Sequence, residues 1–321
     1  MDLVNTAQKS ILTVPDAGRG ERLDYFVASN LPEHSRAQVQ RFIEFGNVSV
    51  NGARVLKPSA RLVPGDRVDV TIPPPKKSEV VAEEIPIEIV YQDADICIVN
   101  KPAGLVVHPA CGHESGTLVN ALLHHVKDLS GVGGVVKPGI VHRLDKGTSG
   151  LMVVCKNDKS HMEIARQFAG REVKKVYLAI VYGSPRGNEG VFDTPYGRNP
   201  RDRMKYSSKV AAGKQAITKW RVIKRYDGYT LVEVNLMTGR THQIRVHFSD
   251  NGMPLIGDLV YGAQRRARQL KSAQARKIAE SGERVLLHSA SIGFLHPSTG
   301  NPVEFFAPLP DDMKQLTGEV Q

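Results

Sequence analysis

The densest run of polar and turn-forming residues in the 321-residue chain is Gly139-Ile140-Val141-His142-Arg143-Leu144-Asp145-Lys146-Gly147-Thr148-Ser149-Gly150, and it leads directly into the apolar segment Leu151-Met152-Val153-Val154. A polar loop anchored to a buried strand is one way a rigid scaffold presents reactive groups. Asp145 lies between two bases, Arg143 and Lys146, whose charges favour its ionised form. Gly147 nearby lets the backbone turn tightly. An isolated Asp-Lys-Gly is more simply a turn aspartate flanked by surface bases, so its meaning depends on the rest of the chain.

Other chemistries lack their usual marks. The sequence has no G-x-x-x-x-G-K-[ST], no G-x-G-x-x-G after a strand, no H-E-x-x-H and no G-x-S-x-G, which removes the ordinary signatures of nucleotide hydrolysis, hydride transfer, zinc proteolysis and serine hydrolysis. His108, His142, His242, His247 and His288 have no acidic or thiolate partner at ligand spacing, so no metal is expected. Cys97, Cys111 and Cys155 are widely spaced and form no C-x-x-C; neither a disulfide framework nor a thiolate zinc site is indicated, and a reducing cytoplasm fits best.

The net charge is +10, and the excess is concentrated in the middle of the chain: residues 137–225 hold 20 Lys/Arg against 7 Asp/Glu. Such a surface attracts polyanions, which makes nucleic acid the leading partner; a merely solvated basic face is the alternative. Met1 to Thr13 has no long apolar core, and no segment offers the ~18 consecutive apolar residues that a bilayer requires. The sequence therefore reads as neither secreted nor membrane-spanning.

Several elements must position these residues. After a polar N-terminal arm (residues 1–17), Leu23, Phe26 and Val27 fall at helical spacing. Val39, Phe42 and Ile43 repeat it behind Ser35, a good N-cap. Gly46 can close the second helix, and Val48-Ser49-Val50 runs into Asn51-Gly52, the favoured type I′ hairpin pair. Val68–Ile72 alternates as a strand before Pro73-Pro74-Pro75-Lys76-Lys77 breaks the pattern. This predicts a small α+β domain over residues 18–75 and a linker over 76–85. Beyond it, β-rich runs at Ile87–Tyr91, Ile96–Asn100 and Leu151–Cys155 are separated by turn residues. Helices are expected over Ser160–Ala169 and over Ala263–Ser281, the latter strongly basic through Arg265, Arg266, Arg268, Lys271, Arg276 and Lys277 and a candidate RNA-facing insertion. Residues 86–321 thus read as one α+β domain on a mixed, mainly antiparallel sheet.

The order helix, helix, Asn-Gly hairpin, strand, with Ser35-Arg36, Val50-Asn51-Gly52 and Pro64-Gly65-Asp66, resembles the S4-like RNA-binding domain. The resemblance implies phosphate contacts for Arg36, Arg41, Arg54 and Lys57. His142-Arg143-Leu144-Asp145 with Thr148-Ser149-Gly150-Leu151 resembles the motif of the RluA-type pseudouridine synthases. Asn100-Lys101-Pro102-Ala103-Gly104, Lys175-Val176-Tyr177 and Thr238-Gly239-Arg240-Thr241-His242-Gln243-Ile244-Arg245-Val246-His247 match the same family in order. Val106-Val107-His108-Pro109, Leu118 to His124 and Pro138-Gly139-Ile140-Val141 look most like its RluD group, which acts on large-subunit rRNA.

That resemblance implies a pseudouridine synthase fold and cofactor-independent isomerisation of uridine in RNA. Asp145 would be the catalytic carboxylate, Arg245 its ionic partner and Tyr177 a tyrosine stacking on the target base. Arg143 would enter the RNA stack where that base is flipped out, offsetting part of the unstacking cost. His142, Asn100 and Lys101 are candidate substrate-binding residues, and the loop of Asn100, Lys101 and Pro102 would support the aspartate from behind, in a packing role rather than in direct chemistry. A monomer is implied. The alternatives are a non-catalytic RNA-binding or ribosome-assembly protein, a nucleoside hydrolase, and a synthase acting on tRNA or another rRNA site.

Overall fold

The computed structural model describes residues 8–31, 34, 36–72, 80–109, 112–130, 138–262, 264–281 and 284–318. Ser35, residues 73–77, Cys111 and Ala263, singled out above, lie outside the described residues. The chain divides into two compact units, Met1–Ser78 and Glu79–Gln321.

The first unit runs β1 (Gln8–Thr13), α1 (Leu23–Asn30), α2 (Arg36–Glu44), β2 (Val48–Val50), β3 (Ala53–Arg54) and β4 (Arg67–Ile72). Asn51 and Gly52 both have positive φ, 50° and 82°, the geometry a two-residue type I′ hairpin needs. Leu23, Phe26 and Val27 of α1 and Val39 and Ile43 of α2 pack on Val48, Val68, Val70 and Ile72 of the sheet. The sheet order is β1-β4-β2-β3. Part of the segment read as an arm is therefore a strand: β1 pairs antiparallel with β4 from Gln8↔Ile72 to Thr13↔Arg67. It covers an edge that β4 would otherwise leave open.

The second unit runs β5 (Glu88–Gln92), β6 (Ile96–Lys101), α3 (Leu118–His125), β7 (Ser149–Cys155), α4 (Asp158–Gly170), β8 (Lys174–Tyr182), β9 (Glu189–Arg198), β10 (Tyr206–Ser207), β11 (Lys214–Arg225), β12 (Tyr229–Leu236), α5 (Gln243–Asp250), α6 (Ala273–Ser281), β13 (Leu287–Leu295), β14 (Pro302–Phe306) and α7 (Asp311–Thr317). The sheet order is β10-β9-β11-β12-β8-β13-β7-β6-β5, with β14 also on β13. Pairing is antiparallel except for a short parallel register between β13 and β7. The sequence expectation of a mixed, mainly antiparallel sheet holds.

The helix expected over Ala263–Ser281 is instead a 3₁₀ turn at Gln264–Gln269 followed by α6. Ser272 Oγ accepts the Ala275 N–H and so starts a new helix, while the Arg276 guanidinium binds the Leu270 carbonyl left behind. Ala267, Leu270, Ala275 and Ala279 are buried with Ile180, Tyr182 and Met313, so the segment is part of the core with a basic outer side.

The middle strands position the site. Gly150 has φ 110°, pairs with Lys101 on one side and Ser289 on the other, and a Cβ there would overlap the Ser289 carbonyl oxygen. We expect Gly150→Ala to lower stability by about 3 kcal/mol or more through strain and overpacking, read as a reduced denaturant midpoint. An unchanged midpoint would show that β7 and β13 can part at no cost.

Candidate functional site

The loop before β7 is pinned at both ends. Leu144 is buried in the main core, so its neighbours Arg143 and Asp145 are left towards solvent. The Asp145 carbonyl accepts the Thr148 N–H at 3.0 Å, and the Lys146 carbonyl accepts the Gly104 N–H at 2.8 Å. Lys101 is fully buried at the end of β6, and its Nζ donates to the carbonyls of Pro102 (2.8 Å), Leu105 (2.9 Å) and Lys146 (3.4 Å). A single ammonium thus ties the Asn100–Gly104 loop to the loop that carries Asp145.

Arg245 approaches from α5, a helix buried from Gln243 to Phe248. The Gln243 amide locks its start: Oε1 accepts from Thr238 Oγ1 and Arg240 N, while Nε2 donates to the Ile217 carbonyl and Thr218 Oγ1. Arg245 Nη1 donates to Asp145 Oδ2 at 3.1 Å. Its Nε and Nη2 grip Asp258 Oδ2 and Oδ1 at 2.7 and 2.9 Å. The Asp258 side chain is fully buried, Arg245 is 8% exposed and Asp145 is 20% exposed. Asp258 Oδ1 also accepts the N–H groups of Val260 and Tyr261. The guanidinium therefore spans two carboxylates, one sealed in the core and one open to the cavity.

The cavity has a volume of about 510 Å³ and is lined by Asp145, Arg143, His142, Thr148, Phe168, Lys175, Tyr177, Arg240, His242 and Arg245, among others. Tyr177 reaches it from β8, between Val234 of β12 and Ser289 of β13. Burial and then the Asp145 charge push its phenol above the ordinary value. Arg143 is exposed on the cavity lining. The structure thus brings Arg143 and Asp145, from one loop, together with Tyr177 and Arg245, which are distant in sequence.

Other expected positions differ. His142 lines the cavity, but its ring stacks on Phe168 at 4.7 Å and its Nε2 accepts the Val153 N–H. Burial, with Lys175 nearby, pushes it down to about 3, so it is a neutral wall residue. Asn100 and Lys101 do not line this cavity: Asn100 Nδ2 binds Glu88 Oε2 and Lys101 serves carbonyls from beneath. As candidate substrate-binding residues they do not reach the cavity, and they stand behind the loop. In the first unit, Arg36 is drawn onto the fully buried Asp24, which also accepts from Arg22 and Gln40. The Asp24 carboxyl lies well below the usual range, chiefly through Arg22. Arg41 is exposed on α2.

The sequence reading missed Asp258 and Tyr261 and undervalued His242. A signal existed for Asp258: it stands directly after Gly257 in the mainly apolar run Met253–Val260, and an aspartate is seldom buried there without a cationic partner. Among the described residues, Asp93, Asp95 and His296 bring three possible metal ligand atoms within 4.8 Å of one another. Asp93 accepts from His296 Nε2, Tyr91 and two backbone amides, and Asp95 accepts from Asn157 and Ser160. These are the partners of a hydrogen-bonded structural cluster.

Two outcomes are expected. Asp258→Asn, which leaves Arg245 with one exposed partner, should cost about 3–5 kcal/mol of stability, measured by chemical denaturation; a smaller loss than a surface change would show that Asp258 is not needed to neutralise it. Burial pushes the Lys101 ammonium down to about 7, with the Asp145 charge opposing. Between that pH and the unfolded value of about 10.4 the unfolded chain binds the extra proton, so stability from this residue rises with pH. The unfolding free energy of wild type minus Lys101→Met should therefore grow from pH 7 to 10. A difference flat in pH would mean that Lys101 keeps its proton.

Residues 95–250 match the family described as RNA pseudouridylate synthase, and residues 21–68 match the S4 domain. The chain is 45% identical over 305 residues to an uncharacterized RNA pseudouridine synthase of Bacillus subtilis, covering 95% of this chain and 96% of that one. It is 43% identical over 308 residues to the ribosomal large subunit pseudouridine synthase D of Zymomonas mobilis, covering 95% of each. Among solved structures, human RNA pseudouridylate synthase domain containing 1 superposes with a TM-score of 0.54 at 25% identity, over 76% of this chain and 96% of that chain. On these likenesses the chain belongs to the RluA-type family of RNA pseudouridine synthases, with an S4 domain at its N-terminal side.

Proposed function

We propose that this enzyme isomerises uridine in large-subunit rRNA with Asp145 as its catalytic carboxylate. The observation that carries the reading is the Arg245 bridge, which holds Asp145 Oδ2 at 3.1 Å on the wall of a cavity that also contains Tyr177. An anion fixed beside the sugar stabilises the positive charge that builds as the glycosidic bond lengthens. The cavity retains the detached uracil until C5 takes the place of N1 at the ribose, C5 then losing its proton and N1 taking one up, which separates isomerisation from hydrolysis. Tyr177 stacks on the base, and Arg143 takes the vacated place in the RNA. The Zymomonas relative's name supports large-subunit rRNA as the substrate class.

In this reading residues 18–75 form the S4-like RNA-binding domain, 76–85 the linker and 86–321 the catalytic domain. Arg41, together with the exposed part of Arg36, contacts RNA phosphate. A monomer and a cytoplasmic site of action belong to the same reading. No helix among the described residues is long and apolar enough to cross a membrane.

The test is incubation with unmodified large-subunit rRNA, mapping carbodiimide-dependent reverse-transcription stops. New stops are expected with wild type. Asp145→Asn should lower the rate by at least roughly 10³-fold, or ~4 kcal/mol of barrier, while RNA affinity stays nearly unchanged because many phosphate contacts carry it. Turnover by Asp145→Asn at the wild-type rate, or release of free uracil, would overturn the assignment.

A further inference from the structure

His242 faces Asp145 across the cavity, with its Nε2 3.9 Å from Oδ2. It immediately precedes α5 and has φ 59° and ψ 19°, the left-handed region. Non-glycine residues seldom adopt that conformation, and it persists where surroundings over-determine it. Here the next residue, Gln243, is locked by four side-chain hydrogen bonds, and the imidazole itself is gripped by the Tyr261 hydroxyl, 2.9 Å from Nδ1.

Tyr261 Oη accepts the Tyr206 N–H at 3.2 Å and keeps its own proton to give, and His242 Nδ1 lies 2.9 Å away. With that proton donated to Nδ1, a neutral imidazole carries its hydrogen on Nε2. Burial pushes His242 below its ordinary value, with Asp145 opposing, Arg245 adding, Asp258 opposing and Arg143 adding; the ring is therefore neutral at neutral pH. At 3.9 Å the Nε2–H is too far from Oδ2 to be spent on it. Tyr261 is in turn held by its backbone N–H on Asp258, the residue that clamps Arg245.

We propose that His242 is a substrate-facing hydrogen-bond donor: its Nε2–H binds a carbonyl oxygen of the uracil held at Asp145, and Tyr261 is the positioning residue that sets the tautomer. This rests on Asp145 being the catalytic carboxylate. When the glycosidic bond breaks, its electron pair passes to the uracil ring and charge gathers on the carbonyl oxygens. A fixed neutral donor aimed there stabilises the charge and tethers the detached base without giving up its proton.

The experiment uses the full chain and an unmodified large-subunit rRNA transcript. Nitrogen-15 NMR of the wild-type protein, with His242 assigned by loss of its signals in His242→Gln, should show the Nε2–H tautomer; an Nδ1–H tautomer or an imidazolium would overturn the proposal even if no variant were active. His242→Leu should lower the single-turnover rate by roughly 100-fold with RNA affinity within about twofold, and His242→Gln, which keeps an N–H, should recover part of the loss. Tyr261→Phe should slow turnover by about tenfold and mix the tautomers. His242→Leu reacting at the wild-type rate while Asp145→Asn is inactive sinks this inference alone. Asp145→Asn reacting at full rate sinks the catalytic reading beneath it.

Discussion

The site depends on how one buried guanidinium is neutralised. Taking an arginine out of water costs several kcal/mol unless its charge is paired and its N–H groups are satisfied. α5 leaves Arg245 little choice, because the helix is buried from Gln243 to Phe248. Asp258 binds Nε and Nη2 from the core side, and Nη1 is left for Asp145. One cation between two carboxylates leaves one unit of negative charge, and it lies at the exposed end. The core thus fixes the place of the Asp145 carboxylate, because Arg245 is already anchored by Asp258.

The sheet makes that anchoring rigid. In β6, Cys97 and Val99 enter one cluster while Ile96 and Ile98 enter another. In β7, Met152 and Val154 alternate in the same way with Leu151, Val153 and Cys155. In β8, Tyr177, Ala179 and Val181 face the first cluster and Ile180 and Tyr182 face a third. Strands covered on both faces cannot tilt without opening a cavity on one side. The loop before β7 and the tyrosine on β8 inherit this stiffness.

What the sequence made legible was local or motif-bound. Asn51-Gly52 announced a hairpin through its φ requirements, and the Asp145 loop stood out because polar and glycine residues abut an apolar strand. Asp145, Tyr177 and Arg245 were joined only through the family resemblance, since no periodicity links positions in a loop, a strand and a helix. The partner of Arg245 on its buried side was not legible, because Asp258 meets it only after the chain has folded. Adjacency in a motif does not say which face of a strand end meets the cavity, and Asn100 and Lys101 stand behind the loop rather than on the cavity lining. The division between the 3₁₀ turn and α6 turned on one serine and one arginine capping the same break, a choice that helix propensity alone does not make.

The buried Asp24 cluster has a further effect in the first unit. Arg22 and Arg36 are both bound to one carboxylate, so part of their charge is cancelled before any RNA arrives. A cation already paired within the protein displaces few condensed ions when it nears a phosphate. The two arginines and Asp24 together therefore offer a polyanion less charge than two free arginines would, and the Arg36–Asp24 pair ties α2 to α1.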